Sequence, residues 1–318
     1  MELLDNLEKE LYSYRPALTR RPDFWEFWEG EKAESANVPL DLEMKRYDYP
    51  AEYVDVYDIS FNGCDESRVH GWFMVPAFLK KEKYPCLVNY HGFNGDRGVI
   101  SDFFLWIMAG MAVLTVDCRD QGGQTGSAHA YHTGIVRNVT TRGILDPHEY
   151  YYKAVYLDCL RALDIAACLE QTDEENLVVH GISQGGGIGM AVCCLDGRPR
   201  AALLDVPSIS NLEARVWGEN GAFSAVTEYL RKYPDRTERV FETLSYFDVM
   251  NMAEHMKAPL FASVALKDDV CPAKHYFAAY NRVPGSKQIT VYPFNGHDGA
   301  RWCHWEKKLA YLKSSGII

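Results

Sequence analysis

The sequence lacks several features that would define its class at once. It has no apolar run long enough to cross a membrane, no internal repeat, no low-complexity segment and no long Gly/Ser linker. These absences exclude a membrane-spanning helix and a repeat architecture. The residues after Met1 are acidic where a secretory signal would be basic and then apolar, so we expect no such signal.

Positive charge is also scarce. The chain has 33 lysines and arginines against 44 aspartates and glutamates, a net charge of −11, and no local basic patch offsets this balance. Such a surface repels polyanions, so we expect neither nucleic acid nor a membrane as a partner.

The nine cysteines are odd in number and scattered, which is typical of reduced thiols in a cytoplasmic protein. The adjacent Cys193 and Cys194 do not have zinc-site spacing, and we expect them to pack in the core. Four more stand in core-like apolar runs, namely Cys86, Cys118, Cys159 and Cys168.

Short β-type runs recur along the chain, with helical patterns between them. Two alternate like antiparallel strands, Tyr53–Ser60 and Val69–Val75. Six are mostly apolar, as in buried parallel strands: Cys86–Tyr90, Met111–Val116, Leu177–Val179, Ala201–Leu204, Leu260–Leu266 and Gln288–Tyr292. The clearest helical pattern runs from about Glu149 to Glu170.

This order predicts a single α/β domain over residues 1–318, with a mostly parallel central sheet covered by helices on both faces. We expect residues 1–50 to form an N-terminal helical extension. Residues 211–246 break the alternation with helical, aromatic-rich sequence, so we expect a helical insertion near the active site.

Residues 181–185 read Gly-Ile-Ser-Gln-Gly directly after the apolar run that ends at Val179, and a small-residue segment follows. This is the order of a nucleophile elbow, whose flanking glycines allow a sharp turn from strand to helix. A phosphate loop would need Gly-Lys-Ser/Thr and a dinucleotide loop Gly-x-Gly-x-x-Gly, and neither is present. The pattern therefore predicts Ser183 as a nucleophile.

A serine nucleophile needs a histidine base and an orienting carboxylate, in the chain order Ser, Asp, His. His297 follows the last predicted strand, and the pair Asp268 and Asp269 follows the one before it. Asp269 is placed to cap the helix that Pro272 begins, which favours Asp268 as the acid without excluding its neighbour.

Two backbone N–H groups must face the oxyanion of the tetrahedral intermediate. We expect the N–H of Gln184, next after the nucleophile, and that of Phe93, in the turn after the strand Cys86–Tyr90. His91 precedes this turn and is expected to make fixed hydrogen bonds.

Histidines and an aspartate between residues 117 and 148 raise the alternative of a metal site: His129, His132, His148 and Asp117. Their spacing lacks a compact three-ligand pattern, and serine chemistry needs no metal, so we expect neither a metal nor a cofactor.

The chain resembles the acetyl xylan esterase and cephalosporin-C deacetylase group, the seventh carbohydrate esterase family, over nearly its whole length. The matching segments are Tyr-His-Gly-Phe-Asn-Gly at 90–95, Thr-Arg-Gly-Ile-Leu-Asp at 141–146, Gly-Ile-Ser-Gln-Gly-Gly-Gly at 181–187, Leu-Ser-Tyr-Phe-Asp at 244–248, Asp268 with Cys271-Pro272, Phe-Ala-Ala-Tyr-Asn at 277–281, and Gly296-His297.

The resemblance implies an α/β-hydrolase fold, a triad of Ser183, Asp268 and His297, and oxyanion donors at Phe93 and Gln184. It implies deacetylation of xylo-oligosaccharides or other small acetate esters, with cephalosporin C as an alternative substrate. It also implies a homo-oligomer, a ring-like hexamer with inward-facing sites.

Four positions, in three segments, depart from the family pattern. Asp120 stands where the family has glycine, and Asp298 where it has glutamate. Val206 and Ser208 stand where the family has aromatic residues, which removes two rings expected beside the pocket.

Two other functions remain open at this point. A peptidase or thioesterase on the same fold would share the triad but need a larger acyl or peptide pocket. A non-catalytic binding protein would have no reason to keep all three triad residues. Turnover of nitrophenyl esters of different acyl length separates these readings.

Overall fold

The computed structural model describes residues 2–318, which fold around one nine-stranded sheet. The strands are β1 Glu43–Tyr47, β2 Val54–Asn62, β3 Arg68–Pro76, β4 Tyr84–Tyr90, β5 Ala112–Val116, β6 Thr172–Ile182, β7 Ala201–Asp205, β8 Leu260–Ala265 and β9 Lys287–Tyr292. Their order across the sheet is β1-β2-β3-β5-β4-β6-β7-β8-β9. The pairs β1–β2, β2–β3 and β3–β5 are antiparallel, and every pair from β5 to β9 is parallel. The predicted mostly parallel sheet with an antiparallel entry is confirmed.

Helices cover both faces of this sheet. They are α1 Glu2–Ser13, α2 Phe24–Ala36, α3 Phe104–Met108, α4 Tyr151–Cys168, α5 Gln184–Leu195, α6 Leu212–Trp217, α7 Ser224–Lys232, α8 Thr237–Ser245, α9 Val249–Met252, α10 Ala273–Tyr280 and α11 Arg301–Ser314. Residues of α4 and α5 lie in the larger core, whereas residues of α3 and α11 lie in the smaller one. On β6, Leu177 and Val179 join the larger core and Val178 the smaller, as expected for a strand buried on both faces.

The N-terminal extension is helical only as far as Ala36. Residues 43–47 form β1, an edge strand that pairs with β2. All five side chains of β1 are exposed, so its sequence carries no alternation of buried and exposed positions. A helical extension to residue 50 was therefore wrong for this segment, because an edge strand without a buried face leaves no pattern to read.

The segment predicted as an insertion, residues 211–246, lies between β7 and β8. It contains α6, α7 and α8, with short 3₁₀ turns at Gly221–Phe223 and Pro234–Arg236. Among residues 2–318, no helix combines the length and the apolar character that crossing a membrane requires.

Five of the six cysteines assigned to the core are buried. Cys168 is exposed instead, because it is the last residue of α4 and lies beyond the buried face of that helix. All nine thiols are free.

Candidate active site

Ser183 lies on the sharp turn between β6 and α5. Its backbone has φ 59° and ψ −118°, a left-handed φ that costs energy for a residue with a side chain. Glycine is required on both sides, since a Cβ at Gly181 would lie 2.2 Å from the carbonyl of Gly185, and one at Gly185 would lie 1.8 Å from Tyr90 O. The backbone N–H of Ser183 donates to Asp205 O at 2.9 Å, which fixes the turn to the end of β7.

The structure brings the three predicted triad side chains into one hydrogen-bonded line. His297 Nε2 lies 2.9 Å from Ser183 Oγ, and His297 Nδ1 lies 2.8 Å from Asp268 Oδ2. The Asp268 side chain is fully buried, whereas 30% of the His297 side chain is exposed. With Nδ1–H donating to the carboxylate, Nε2 is free to accept the serine proton.

The second oxygen of Asp268 is held by the backbone of its own turn. Asp268 Oδ1 accepts hydrogen bonds from the N–H groups of Val270 at 2.9 Å and Cys271 at 2.7 Å. Asp269 is exposed, and no side chain caps α10, so the predicted helix cap at Asp269 is wrong. The preceding aspartate instead accepts two N–H groups of the turn before α10.

The two predicted oxyanion donors belong to two segments that adjoin the nucleophile. Gln184 begins α5, so its N–H has no partner within the helix. Phe93 lies in the turn after β4, and a Cβ at the preceding Gly92 would come within 4.0 Å of Ser183 Cβ. Within residues 2–318, neither the N–H of Phe93 nor that of Gln184 has a hydrogen-bond acceptor.

Comparison with known proteins fits this geometry. The acetyl xylan esterase family profile matches residues 1–315. The chain belongs to the acetyl xylan esterase family. A curated relative, acetyl esterase Axe7A of Xylanibacter ruminicola, is 24% identical over 296 residues, which cover 88% of this chain. This chain spans only 64% of the length of that relative.

Two solved structures of the same family superpose closely. An acetyl xylan esterase from Paenibacillus sp. R4 is 38% identical with a TM-score of 0.93, over 96% of this chain and 98% of that one. Acetyl xylan esterase 1 from Thermoanaerobacterium sp. JW/SL YS485 is 30% identical with a TM-score of 0.90, with the same coverage. The predicted α/β-hydrolase fold and the family resemblance are confirmed.

Sequence reasoning missed that Gln121 connects the turn after β4 to the Gln184 side chain, and these two segments hold the predicted oxyanion donors. Gln121 Oε1 accepts from the N–H of Asn94, next to Phe93, at 2.7 Å. The same oxygen accepts from Gln184 Nε2 at 3.2 Å, and Gln121 Nε2 donates to Tyr151 Oη at 2.8 Å. The only signal in the sequence was that Gln121 belongs to a family motif.

Two of the residues that depart from the family pattern make polar contacts within loops near the site. Asp120 pairs with Arg142, and the carboxylate of Asp298 accepts the N–H groups of Gly296 and Ala300, both at 3.1 Å. These contacts brace the loops around the site, including the one that carries His297.

The positions of the two missing aromatic rings were expected beside an open pocket. Val206 and Ser208 are instead buried, with 1% and 7% exposure. Val206 lies beneath the histidine loop, where a Cβ at Gly299 would come 3.2 Å from its methyl group. At Val206, therefore, the substitution changes packing under the loop.

His91 makes the fixed hydrogen bonds expected of it. Its Nε2 accepts from the N–H of Cys118 at 2.8 Å, and Nδ1 lies 2.7 Å from Gly92 O, which fixes the Nδ1–H tautomer.

The four residues considered for a metal do not converge. His132 contacts Glu149, whereas His148 Nδ1 lies 2.5 Å from Glu31 Oε1. His129 packs on a tyrosine ring, and Asp117 accepts backbone N–H groups. Over residues 2–318, no group of three or more histidine, cysteine or acidic side chains is arranged to hold a metal.

A buried polar chain crosses the sheet beneath the elbow. Lys308 Nζ donates to Asp205 Oδ2 at 2.6 Å and to His180 Nε2 at 3.1 Å. His180 Nδ1 then donates to Asn89 Oδ1 at 2.7 Å, and Asn89 Nδ2 donates to Thr115 Oγ1 at 3.1 Å. This series of hydrogen-bonded side chains thus begins on α11 and includes residues of β7, β6, β4 and β5.

The charge states along this chain follow from its contacts. Burial alone would raise the pKa of Asp205, but the ammonium of Lys308 holds it well below its usual range. Burial, with help from Lys308, lowers the pKa of His180 to about 3, so its imidazole is neutral and accepts from the lysine.

We expect Lys308→Met to lower the free energy of unfolding by about 3 kcal/mol, because it leaves the Asp205 carboxylate buried without its ammonium. The cost stays at the low end because His304 Nε2 still lies 3.0 Å from Asp205 Oδ1. Urea denaturation measures the change. Lys307→Met, on the exposed face of α11, is the matched control and should be nearly neutral. Equal stability of the two variants would contradict the pairing.

Proposed function

We propose that this chain is a serine esterase that removes acetyl groups from acetylated xylo-oligosaccharides and other small acetate esters. The observation that carries the proposal is the pair of hydrogen bonds, 2.9 and 2.8 Å long, that joins Ser183 to His297 and His297 to Asp268. Membership of the acetyl xylan esterase family supports acetyl as the acyl group.

In the proposed acylation step, Ser183 Oγ attacks the acetyl carbonyl carbon while His297 Nε2 takes its proton. Asp268 holds Nδ1–H and stabilises the imidazolium. The N–H groups of Phe93 and Gln184 bind the oxyanion. When the tetrahedral intermediate collapses, the C–O bond to the alcohol breaks and the alcohol leaves with the proton from Nε2.

Deacylation repeats these steps with water. His297 takes a proton from the water, whose oxygen attacks the acetyl-serine carbonyl, and the second intermediate expels Ser183 Oγ, which recovers the proton. The products are acetate and a free alcohol. Each step uses only side chains and backbone groups of this chain.

The family resemblance and the free thiols support three further parts of the proposed function. Cephalosporin C is a further acetate ester that the enzyme would accept. The working assembly is a homo-oligomer, a hexamer with inward-facing sites, which would exclude polymeric xylan. Nine free thiols favour a reducing compartment, as in an enzyme that finishes imported oligosaccharides in the cytoplasm.

We expect kcat/KM to fall steeply from acetyl to butyryl nitrophenyl esters and to be negligible for octanoyl. The ring of Phe93, packed against the larger core, stands beside the proposed oxyanion site, and the insertion contacts the turn that follows Asp268. An extra methylene that fits an apolar pocket adds about 0.8 kcal/mol of binding, but one forced into a filled pocket costs roughly 1–3 kcal/mol. Steady-state rates across the three esters measure the profile.

The same series separates the alternatives. A profile that rises with acyl length would indicate a lipase-like or thioesterase-like enzyme. The absence of any turnover would favour a binding protein on the same fold. A faster hydrolysis of peptide than of ester substrates would indicate a peptidase.

A further inference from the structure

Arg215 is a buried cation without a counter-ion. It lies on α6 of the insertion with 1% of its surface exposed. Its Nη2 donates to Val270 O at 3.0 Å and contacts Cys271 Sγ at 3.7 Å, while Nε has no partner. The guanidinium also lies 5.7 Å from the centre of the Phe223 ring. None of the ion pairs in the described chain includes it.

Such an arrangement does not favour folding. Removing a guanidinium from water costs free energy, which a carboxylate partner would offset and a single carbonyl offsets only in part. The buried guanidinium also lies close to the predicted nucleophile, because Cys271 Sγ, which it contacts, lies 3.9 Å from Ser183 Oγ. An uncompensated buried charge at a catalytic site points to a role in the site.

The carbonyl that Arg215 holds belongs to the turn of the triad acid, residues 268–271, which we call the acid turn. The insertion binds two consecutive carbonyls of this turn. Asn220 Nδ2 donates to Asp269 O at 3.4 Å, and Arg215 to Val270 O. Gly221 lets the two segments approach, since a Cβ there would lie 2.9 Å from Val270 O.

The orientation of the Asn220 amide, which makes the second of these hydrogen bonds, is also fixed. Asn211 Nδ2 lies 3.2 Å from His275 Nδ1, and His275 Nε2 lies 3.2 Å from Asn220 Oδ1. Because the amide nitrogen of Asn220 donates to Asp269 O, its oxygen accepts from Nε2–H, and Nδ1 accepts from Asn211. Burial, with the nearby Arg215, lowers the pKa of His275 to about 4, which keeps the ring neutral as this order requires.

Both the N–H groups and the carbonyl groups of the acid turn are thus hydrogen-bonded. Its N–H groups at residues 270 and 271 hold Asp268 Oδ1, and its carbonyls at 269 and 270 are held by the insertion. A peptide plane is rigid, so a tilt that frees the Val270 carbonyl also moves the N–H of Cys271 away from the carboxylate.

We propose that Arg215 is a positioning residue for the triad: by fixing the Val270 carbonyl it fixes the orientation of Asp268 towards His297. The insertion that covers the site thereby also sets the alignment of the acid beneath it. This inference rests on the proposed esterase function.

Arg215→Met keeps the length and most of the apolar stem but removes both contacts to the acid turn. Its kcat for nitrophenyl acetate falls about 10–100-fold with KM nearly unchanged, because a misplacement on the order of 1 Å at a catalytic group costs up to about 10²-fold. Its thermal midpoint is equal to or above that of the wild type, since an unpaired buried cation is lost. Arg231→Met, an exposed arginine of the same insertion, is the control and leaves kcat unchanged.

A double-mutant cycle with Asp268→Asn identifies the route of the effect. If Arg215 acts through the acid, then Arg215→Met in the Asp268→Asn background lowers kcat by less than about threefold. Arg215→Lys, which restores one donor, recovers part of the loss. Asn220→Ala, at a partly exposed site, removes the other tie and lowers kcat in the wild type but not in the Asp268→Asn background.

Three results overturn the inference: an equal loss from Arg215→Met in both backgrounds, a lowered thermal midpoint together with a raised KM, or a wild-type kcat. These are distinct from failure of the proposed function. If Asp268→Asn itself leaves kcat unchanged, the triad assignment fails first, whatever Arg215→Met does.

Discussion

Ser183→Ala is expected to lower kcat for acetyl esters by on the order of 10⁶-fold while the protein stays folded. The side chain is only partly buried and bonds to His297 Nε2, so its loss removes the nucleophile and leaves the larger core untouched. What would remain is the rate enhancement from the proposed oxyanion donors and from substrate binding, about 10³–10⁴-fold over water. Steady-state kinetics with nitrophenyl acetate give the loss, and thermal unfolding checks the fold.

The left-handed backbone of the elbow supplies an internal comparison. Ser183→Gly removes the same hydroxyl but also relieves the strain at φ 59°, so it should be more stable than Ser183→Ala by about 1 kcal/mol. Near wild-type turnover by either variant would overturn the nucleophile assignment.

Asp268→Asn is expected to cost on the order of 10³–10⁴ in kcat, because the amide neither stabilises the imidazolium nor keeps the proton on His297 Nδ1. The fully buried carboxylate accepts three hydrogen bonds, one from the ring and two from its own turn. An asparagine amide at this position has an N–H₂ group in place of one carboxylate oxygen, so one of its ends faces a hydrogen-bond donor with another donor. The measurement is kcat for acetyl esters at a pH where the wild type is fully active.

Asp269→Asn is the matched control. Asp269 is exposed and caps no helix, so this change should leave both kcat and the free energy of unfolding near wild type. If Asp269→Asn were the damaging change and Asp268→Asn the silent one, the assignment of the acid would be off by one residue.

Much of this architecture could be predicted because its signals are local. The central strands are buried on both faces, so their apolar runs show in the sequence. The elbow needs glycine for reasons visible within five residues. Ser183 and His297 each lie in the loop after a parallel strand. The carboxyl ends of parallel strands meet at one edge of the sheet, so the two residues come together there.

What escaped prediction depends on contacts between distant segments. β1 has no buried side and therefore no alternation. The helix cap expected at Asp269 is absent, because the turn folds the carboxylate of Asp268 inwards to its own N–H groups, which a capping rule does not show. The hydrogen bonds of Arg215 to Val270 and of Gln121 to Gln184 join residues that are 55 and 63 positions apart in the sequence. Pairs so distant leave no periodic pattern in the sequence.

The polar chain beneath the elbow restricts how this sequence can diverge. Each hydrogen in it points one way, from Lys308 through His180 and Asn89 to Thr115. Replacing one member by an apolar residue leaves the donor or acceptor of its neighbour buried without a hydrogen-bond partner. Replacing all members together leaves no such unpaired group. The substitutions are therefore strongly epistatic. Related enzymes should keep the set intact or exchange it as a block, and single exchanges should be found only where a neighbouring position has already changed.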